Sequence, residues 1–204
     1  MVIARPYRGV TAADRLARRR AQLLEATLDL WGDPQRPRVT MTGVCARANL
    51  TERYFYESFG HLDDALAAVL QQIADEIERT TVDALARAGG DPTDRVRASI
   101  GAFVRILTDD PRKGRAAIVE SAHVAATREQ HELLLRRFAL LSAREARSLY
   151  GPQAWGEPEG VIAATMFVGG VALLVSSWLD GSLAATPEAI VEAATRNFVA
   201  TAHP

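Results

Sequence analysis

Apolar residues in this chain recur at three- and four-residue intervals, and caps separate the recurrences. Leu16, Leu23, Leu24, Thr27 and Trp31 keep the spacing of one helical face, with Thr11 placed to cap its start and Gly32 to stop it. Thr40 precedes a short segment whose Val44, Cys45 and Ala48 are expected to face inward. Asn49 follows, a residue that tolerates the left-handed backbone of a tight turn. Thr51 is expected to cap a second short helix, with Glu52 in its first turn and Gly60 at its end. From about 62 to 88 a long amphipathic helix is predicted on Leu66, Val69, Leu70, Ile73, Ile77 and Leu85, closed by Gly89-Gly90. Further starts are read at Asp91-Pro92, Asp110-Pro111 and Thr186-Pro187, and Thr127 with Gln130 has capping-box spacing. Gly151-Pro152 and Gly181 end two of the helices. No window alternates with period two between hairpin turns, so the fold class is all-α. About nine helices are expected: three short ones in front, a connector, then a bundle.

The stretch 161–179, "VIAATMFVGGVALLVSSWL", is uncharged and at about 1.5 Å per residue nearly matches a bilayer core. Gly169-Gly170, Thr165 and Ser176-Ser177 dilute it, and its flanks are Glu159 and Asp180 rather than basic residues. A helix buried on most sides by other helices is the expected reading, with no membrane partner.

Composition narrows the class further. At 48% hydrophobic and 24% charged, the chain is an ordinary globular one. Residues 1–60 hold ten arginines against six acids, whereas the remainder is acidic, so only the front is suited to approach a polyanion. A single cysteine, Cys45, excludes an internal disulfide and a cysteine metal cluster, and is read as packing. The N-terminus "MVIARPYRGVTAADR" lacks an apolar signal-peptide core, so a cytoplasmic location is expected. No metal-ligand spacing around His123 or His131, no GxSxG and no phosphate-binding glycine loop is found, so neither metal, cofactor nor catalytic site is expected.

Candidate chemistry concentrates in "LTERYFYESF", residues 50–59. At 100° per residue, Phe55 and Phe59 share one helix face and are expected to be core. Arg53, Tyr54 and Glu57 fall on the far side, with Tyr56 on the flank. A short helix, a turn through Asn49 and this second helix have the order of a helix-turn-helix. In that motif Arg53 pairs with guanine, and Tyr54 meets a thymine methyl or phosphate. Tyr56, Thr51, Thr40 and Thr42 bond the backbone. Arg15, Arg18, Arg19 and Arg20 would add non-specific attraction. The alternative at this point is a three-helix subdomain with an aromatic core and a solvated face, in a helical small-molecule-binding protein without specific DNA binding.

The run "LLEATLDLW…VTMTGVCARANLTERYFYESFGHLDDAL" resembles the N-terminal domain of TetR-family transcriptional regulators. The resemblance covers residues 15–70. It rests on the aromatic closing the first helix (Trp31), Thr40 opening the second, the small-residue pattern Val44, Cys45 and Ala48, and Tyr56 three residues before Phe59. Three positions depart from the family pattern: Asn49 for the turn glycine, Arg53-Tyr54 for Gly-Thr, and Leu62, beside His61, for a phosphate-contacting lysine. The resemblance implies a helix-turn-helix domain at 1–61 and a helical ligand-binding and dimerisation domain at 62–204. It also implies a repressor released from a near-palindromic double-stranded operator by a small apolar effector, with the connector helix carrying the change. DNA contacts are expected at Thr40, Thr42, Thr51, Arg53, Tyr54, Tyr56 and His61. Ligand contacts are expected at Phe103, Leu107, Ile118, His123, Phe138, Met166 and Phe167. The last two helices of each chain are expected to form a homodimer through Ala172, Val175, Trp178, Ile190, Val191, Ala194 and Phe198.

Overall fold

The computed structural model describes residues 11–35 and 38–203. The N-terminal ten residues and part of the loop after Gly32, both read above from sequence, lie outside the described residues. Two compact units divide the chain between Val69 and Leu70. No strand occurs among the described residues.

The first unit is built on α1 (Ala12–Trp31), α2 (Met41–Ala48) and α3 (Glu52–Tyr56), with the start of α4 (Leu62–Arg87). Thr11 and Asp14 form a reciprocal capping box on α1. This helix is 20 residues long rather than short. Leu23, Ala26, Leu30 and Trp31 of α1 are buried, but Leu16 is exposed, because residues 12–18 lie beyond the part of α1 that is covered. Thr40 accepts a hydrogen bond from the Gly43 amide and so caps α2. Asn49 ends α2 in the left-handed conformation, φ 53°, and its amide donates to Ala46 and Cys45 carbonyls. Cys45 and Val44 are buried with Phe55, Phe59 and Ala65 in one core. Burial pushes the Cys45 thiol up from its ordinary value, which keeps it protonated and unreactive.

The second unit contains the rest of α4 with α5 (Pro92–Asp109), α6 (Pro111–Gly114), a π-helical turn (Arg115–Glu120), α7 (Ser121–His123), α8 (Ala125–Tyr150), α9 (Glu159–Leu179) and α10 (Pro187–Thr201). Asp91, Asp110 and Thr186 each cap the helix that begins at the proline after them. Thr127 is not a cap. It is buried in the first turn of α8, and its hydroxyl donates to the Ser121 carbonyl. Gly114 lies where Leu179 of α9 arrives. A β-carbon there would stand 2.8 Å from the Leu179 methyl, so a larger residue would force the Leu179 side chain to shift.

The apolar helix α9 is not buried on most sides. It packs against α8, α10 and the π-helical turn on one side. Its other face leaves Ile162, Met166 and Leu173 56%, 73% and 70% exposed, and α8 adds exposed Leu133 and Leu140. Among the described residues it is the one helix long and apolar enough to cross a membrane.

Candidate nucleic-acid interface and apolar cavity

The angular division expected in residues 50–59 is present. Phe55 is fully buried and Phe59 nearly so, their ring centres 5.6 Å apart. Arg53 projects with its side chain 84% exposed, and Tyr56 is 59% exposed, its ring edge-on to Phe55. Thr51 stands at the N-cap position of α3, yet its exposed hydroxyl makes no capping bond, contrary to the expected cap. That hydroxyl, with those of Thr40 and Thr42 and the imidazole of His61, lies on the exposed surface of the same unit. The α3 helix ends at Tyr56, before the expected Gly60.

Tyr54 and the arginines of α1 are placed differently from the sequence reading. Tyr54 is half-buried beneath Arg19, whose guanidinium carbon is 4.1 Å from the ring centre. The same guanidinium donates to Glu57 at 2.8 Å. Arg20 donates to the Ser58 carbonyl at 2.8 Å and covers the Phe59 ring at 4.2 Å. Two of the four arginines assigned to a basic arm therefore clamp α3 onto α1. Glu57 also meets Arg53 at 3.3 Å, so it is an acid held between two cations rather than an uncompensated charge. Sequence spacing gave no sign of these clamps, because Arg19 and Glu57 are 38 residues apart.

The second unit holds a partly open cavity of about 190 Å³. Of the expected ligand contacts, Phe103, Ile118, Phe138 and Phe167 line it. The other three do not. Leu107 is buried in the core away from it, Met166 is on the outward face of α9, and His123 is exposed, its Nδ1 donating to the Val119 carbonyl at 2.6 Å. His131, Leu134, Leu135, Phe138, Leu141, Ser142 and Glu145 present one continuous face of α8 to the cavity. Their three- and four-residue spacing was the available signal for His131 and Glu145. Burial holds His131 below its ordinary value, so the ring is neutral near pH 7.

The residues expected at a dimer face divide between the interior of the chain and its surface. Val175, Ile190, Ala194 and Phe198 are buried within the chain, and Ala172 lines the cavity. Trp178 is half-buried and donates to the Ala185 carbonyl, and Val191 is half-buried. The large apolar side chains of α9 left uncovered are Ile162, Met166 and Leu173.

The chain thus consists of a three-helix unit with an outward-facing Arg-Tyr helix, followed by an all-helical unit with an apolar cavity. No family model matches the chain. The chain is 28% identical over 171 residues to the HTH-type transcriptional regulator BetI of Burkholderia ambifaria, covering 83% of this chain and 84% of that one. A TetR-family regulator from Syntrophomonas wolfei superposes with a TM-score of 0.75 at 14% identity, over 90% of this chain and 94% of that one. The regulator FadR from Bacillus subtilis, crystallised with stearoyl-CoA, superposes at 0.72 and 14% identity, over 90% and 99%. The chain has the fold of TetR-family transcriptional regulators, and the resemblance carried by residues 15–70 is borne out. Its relatives are regulators, not enzymes.

Proposed function

We propose that the protein is a cytoplasmic, sequence-specific DNA-binding repressor that acts as a homodimer and leaves its operator when a small apolar molecule enters the cavity. The observation that carries this reading is the surface of α3. Phe55, Phe59 and the Arg20 clamp fix the helix from beneath, while Arg53 and Tyr56 are left standing in solvent. A side chain held outward on a fixed helix is what base readout in the major groove needs. Arg53 reads a base edge. Tyr56, Thr51, Thr40, Thr42 and His61 bond phosphates, and Tyr54 acts mainly by seating Arg19. The kinship to BetI regulators supports the DNA-binding half of the reading. The FadR structure with stearoyl-CoA supports a ligand in the helical unit.

Two copies joined through the face of Ile162, Met166 and Leu173 would present two α3 helices to a near-palindrome, one helical turn or a multiple apart. A ligand that binds the DNA-incompetent arrangement more tightly shifts the population away from DNA. Selection of bound DNA from a random pool tests the reading: an enriched palindrome is expected, with binding that weakens steeply with salt. Arg53→Ala is expected to cost about 1–3 kcal/mol and relax preference at one base position. If Arg53→Ala and Tyr56→Phe both leave binding unchanged, these residues do not meet the DNA. If no sequence is enriched, the protein is a helical small-molecule binder instead.

A further inference from the structure

The cavity's polar side chains are few: the hydroxyls of Thr81, Ser99 and Ser142, with His131 and Glu145, and Thr81 spends its proton on the Ile77 and Glu78 carbonyls. No lysine or arginine lines it, and its two ionisable residues are His131 and Glu145. Their proton arrangement follows from the hydrogen bonds around them. The Ser121 hydroxyl donates to the Ala117 carbonyl at 2.6 Å, as a helical serine does to the residue four before it. Its one proton is therefore committed, and at the 2.8 Å contact with His131 Nδ1 the serine oxygen accepts. Nδ1 thus carries the ring proton, a tautomer assigned from the network. The imidazole is neutral and its protein hydrogen-bond partners are acceptors, the Ser121 oxygen and the Ala117 carbonyl, so with the ring proton on Nδ1 the Nε2 lone pair meets no protein donor among the described residues. Thr127 steadies the arrangement by donating to the Ser121 carbonyl.

Glu145 lies fourteen residues further along the same face of α8, about 21 Å along the helix axis. Its nearest cation, Arg144 at 3.4 Å, is largely exposed and is not part of the lining. Between the two ends the wall of α8 is apolar apart from the Ser142 hydroxyl, one turn before Glu145, with Phe138 at its middle. A negative group in this cavity would meet a lone pair at one end and a carboxylate at the other, with the neutral hydroxyls of Ser99 and Ser142 but no cation to offset its desolvation. A donor would meet an acceptor at either end.

We propose that the cavity selects a lipophilic molecule that bears a hydroxyl or amine N–H donor and no negative charge, with the donor seated on His131 Nε2. The proposal rests on the effector-cavity reading and names the chemistry of its ligand. The volume, about 190 Å³, is somewhat above the ~150 Å³ that admits benzene, so eight-carbon probes are suitable.

Calorimetric titration of the full chain at pH 7.5 with 1-octanol, methyl octyl ether, octylammonium and octanoate tests it without DNA. One saturable site per chain is expected for 1-octanol. The ether, which lacks a donor, is expected to bind about fivefold more weakly, the worth of one hydrogen bond. Octanoate is expected to bind at least tenfold more weakly than either octanol or octylammonium. In His131→Phe the octanol-to-ether ratio falls to about one, and in Glu145→Gln octanoate gains several-fold. Octanoate binding as tightly as octanol, or a ratio unchanged in His131→Phe with Glu145→Gln also without effect, overturns the donor proposal and leaves the effector cavity standing. No saturable binding of any probe overturns it too, and release of selected DNA by cell-extract fractions then judges the effector reading separately.

Discussion

Replacing Arg18, Arg19 and Arg20 one at a time separates a clamp from a charge. Arg20→Ala removes a charged hydrogen bond to the Ser58 carbonyl, worth about 1.5 kcal/mol, and a cation–π contact with Phe59, worth about 0.5–1 kcal/mol. The expected loss is therefore about 2 kcal/mol. Arg19→Ala removes the contact with Tyr54 and a partly exposed ion pair with Glu57, together about 1 kcal/mol. Arg18 is exposed, and its replacement is expected to stay within about 0.5 kcal/mol. Urea unfolding of the full chain in a Trp155→Phe, Trp178→Phe background reads the first unit alone, because Trp31 is its single tryptophan. On selected DNA, Arg18→Ala is expected to lower the salt slope by about 0.9, as one lost phosphate contact does. Equal, small stability losses for all three arginines, with equal losses of salt slope, would refute the clamp and return them to a loose basic arm.

Phe55→Ala is expected to cost about 3–5 kcal/mol and unfold the first unit, read by the same tryptophan, since Phe55 is fully buried. Glu57→Gln frees Arg19 and Arg53 from their shared acid, so DNA affinity should rise and its salt dependence steepen by about 0.9; weaker binding would show that the ion pairs matter more as a brace than as a charge. Met166→Glu should leave stability within about 0.5 kcal/mol, because the side chain is already in solvent, yet convert a sedimenting dimer to monomer; a persisting dimer places the interface elsewhere. For His131, the unfolded ring titrates near 6.5 and the folded ring lower, through burial, which the Ala117 carbonyl and Glu132 oppose and His123 reinforces. Between those values the unfolded chain holds more protons. Its contribution to stability is therefore fully present above about 6.5 and is lost as pH falls below it. His131→Phe should flatten the difference between melts at pH 7.5 and 5.5.

Much of the architecture was legible because it is local. Caps such as Thr40 and Asp91 act within one turn, and Asn49 takes the left-handed conformation that its side chain tolerates, so sequence spacing reaches them directly. The outward set on α3 was legible for the same reason, since Phe55 and Phe59 define one face and leave Arg53 on the other. What spacing does not reach is the partner across the fold. Tyr54 and Arg53 both fall on the far side of the wheel, 100° apart, yet only Tyr54 lies under a guanidinium delivered from α1. In α9 the limitation is sharper. A helix apolar on every side carries no periodic mark of which face its own chain covers, so Val175 and Met166 read alike in sequence. The packing of α8, α10 and the π-helical turn decides between them, burying Val175 completely and leaving Met166 outside. The same packing turns Ala172 toward the cavity and takes Ile190, Ala194 and Phe198 into the core. Of the residues expected at an interface, Val175, Ile190, Ala194 and Phe198 therefore serve the packing of the monomer, while Ala172, Trp178 and Val191 stay partly exposed. The residues left over after that folding, Ile162, Met166 and Leu173, form an apolar stripe that water would otherwise have to cover, and it is there that a second copy has most to gain.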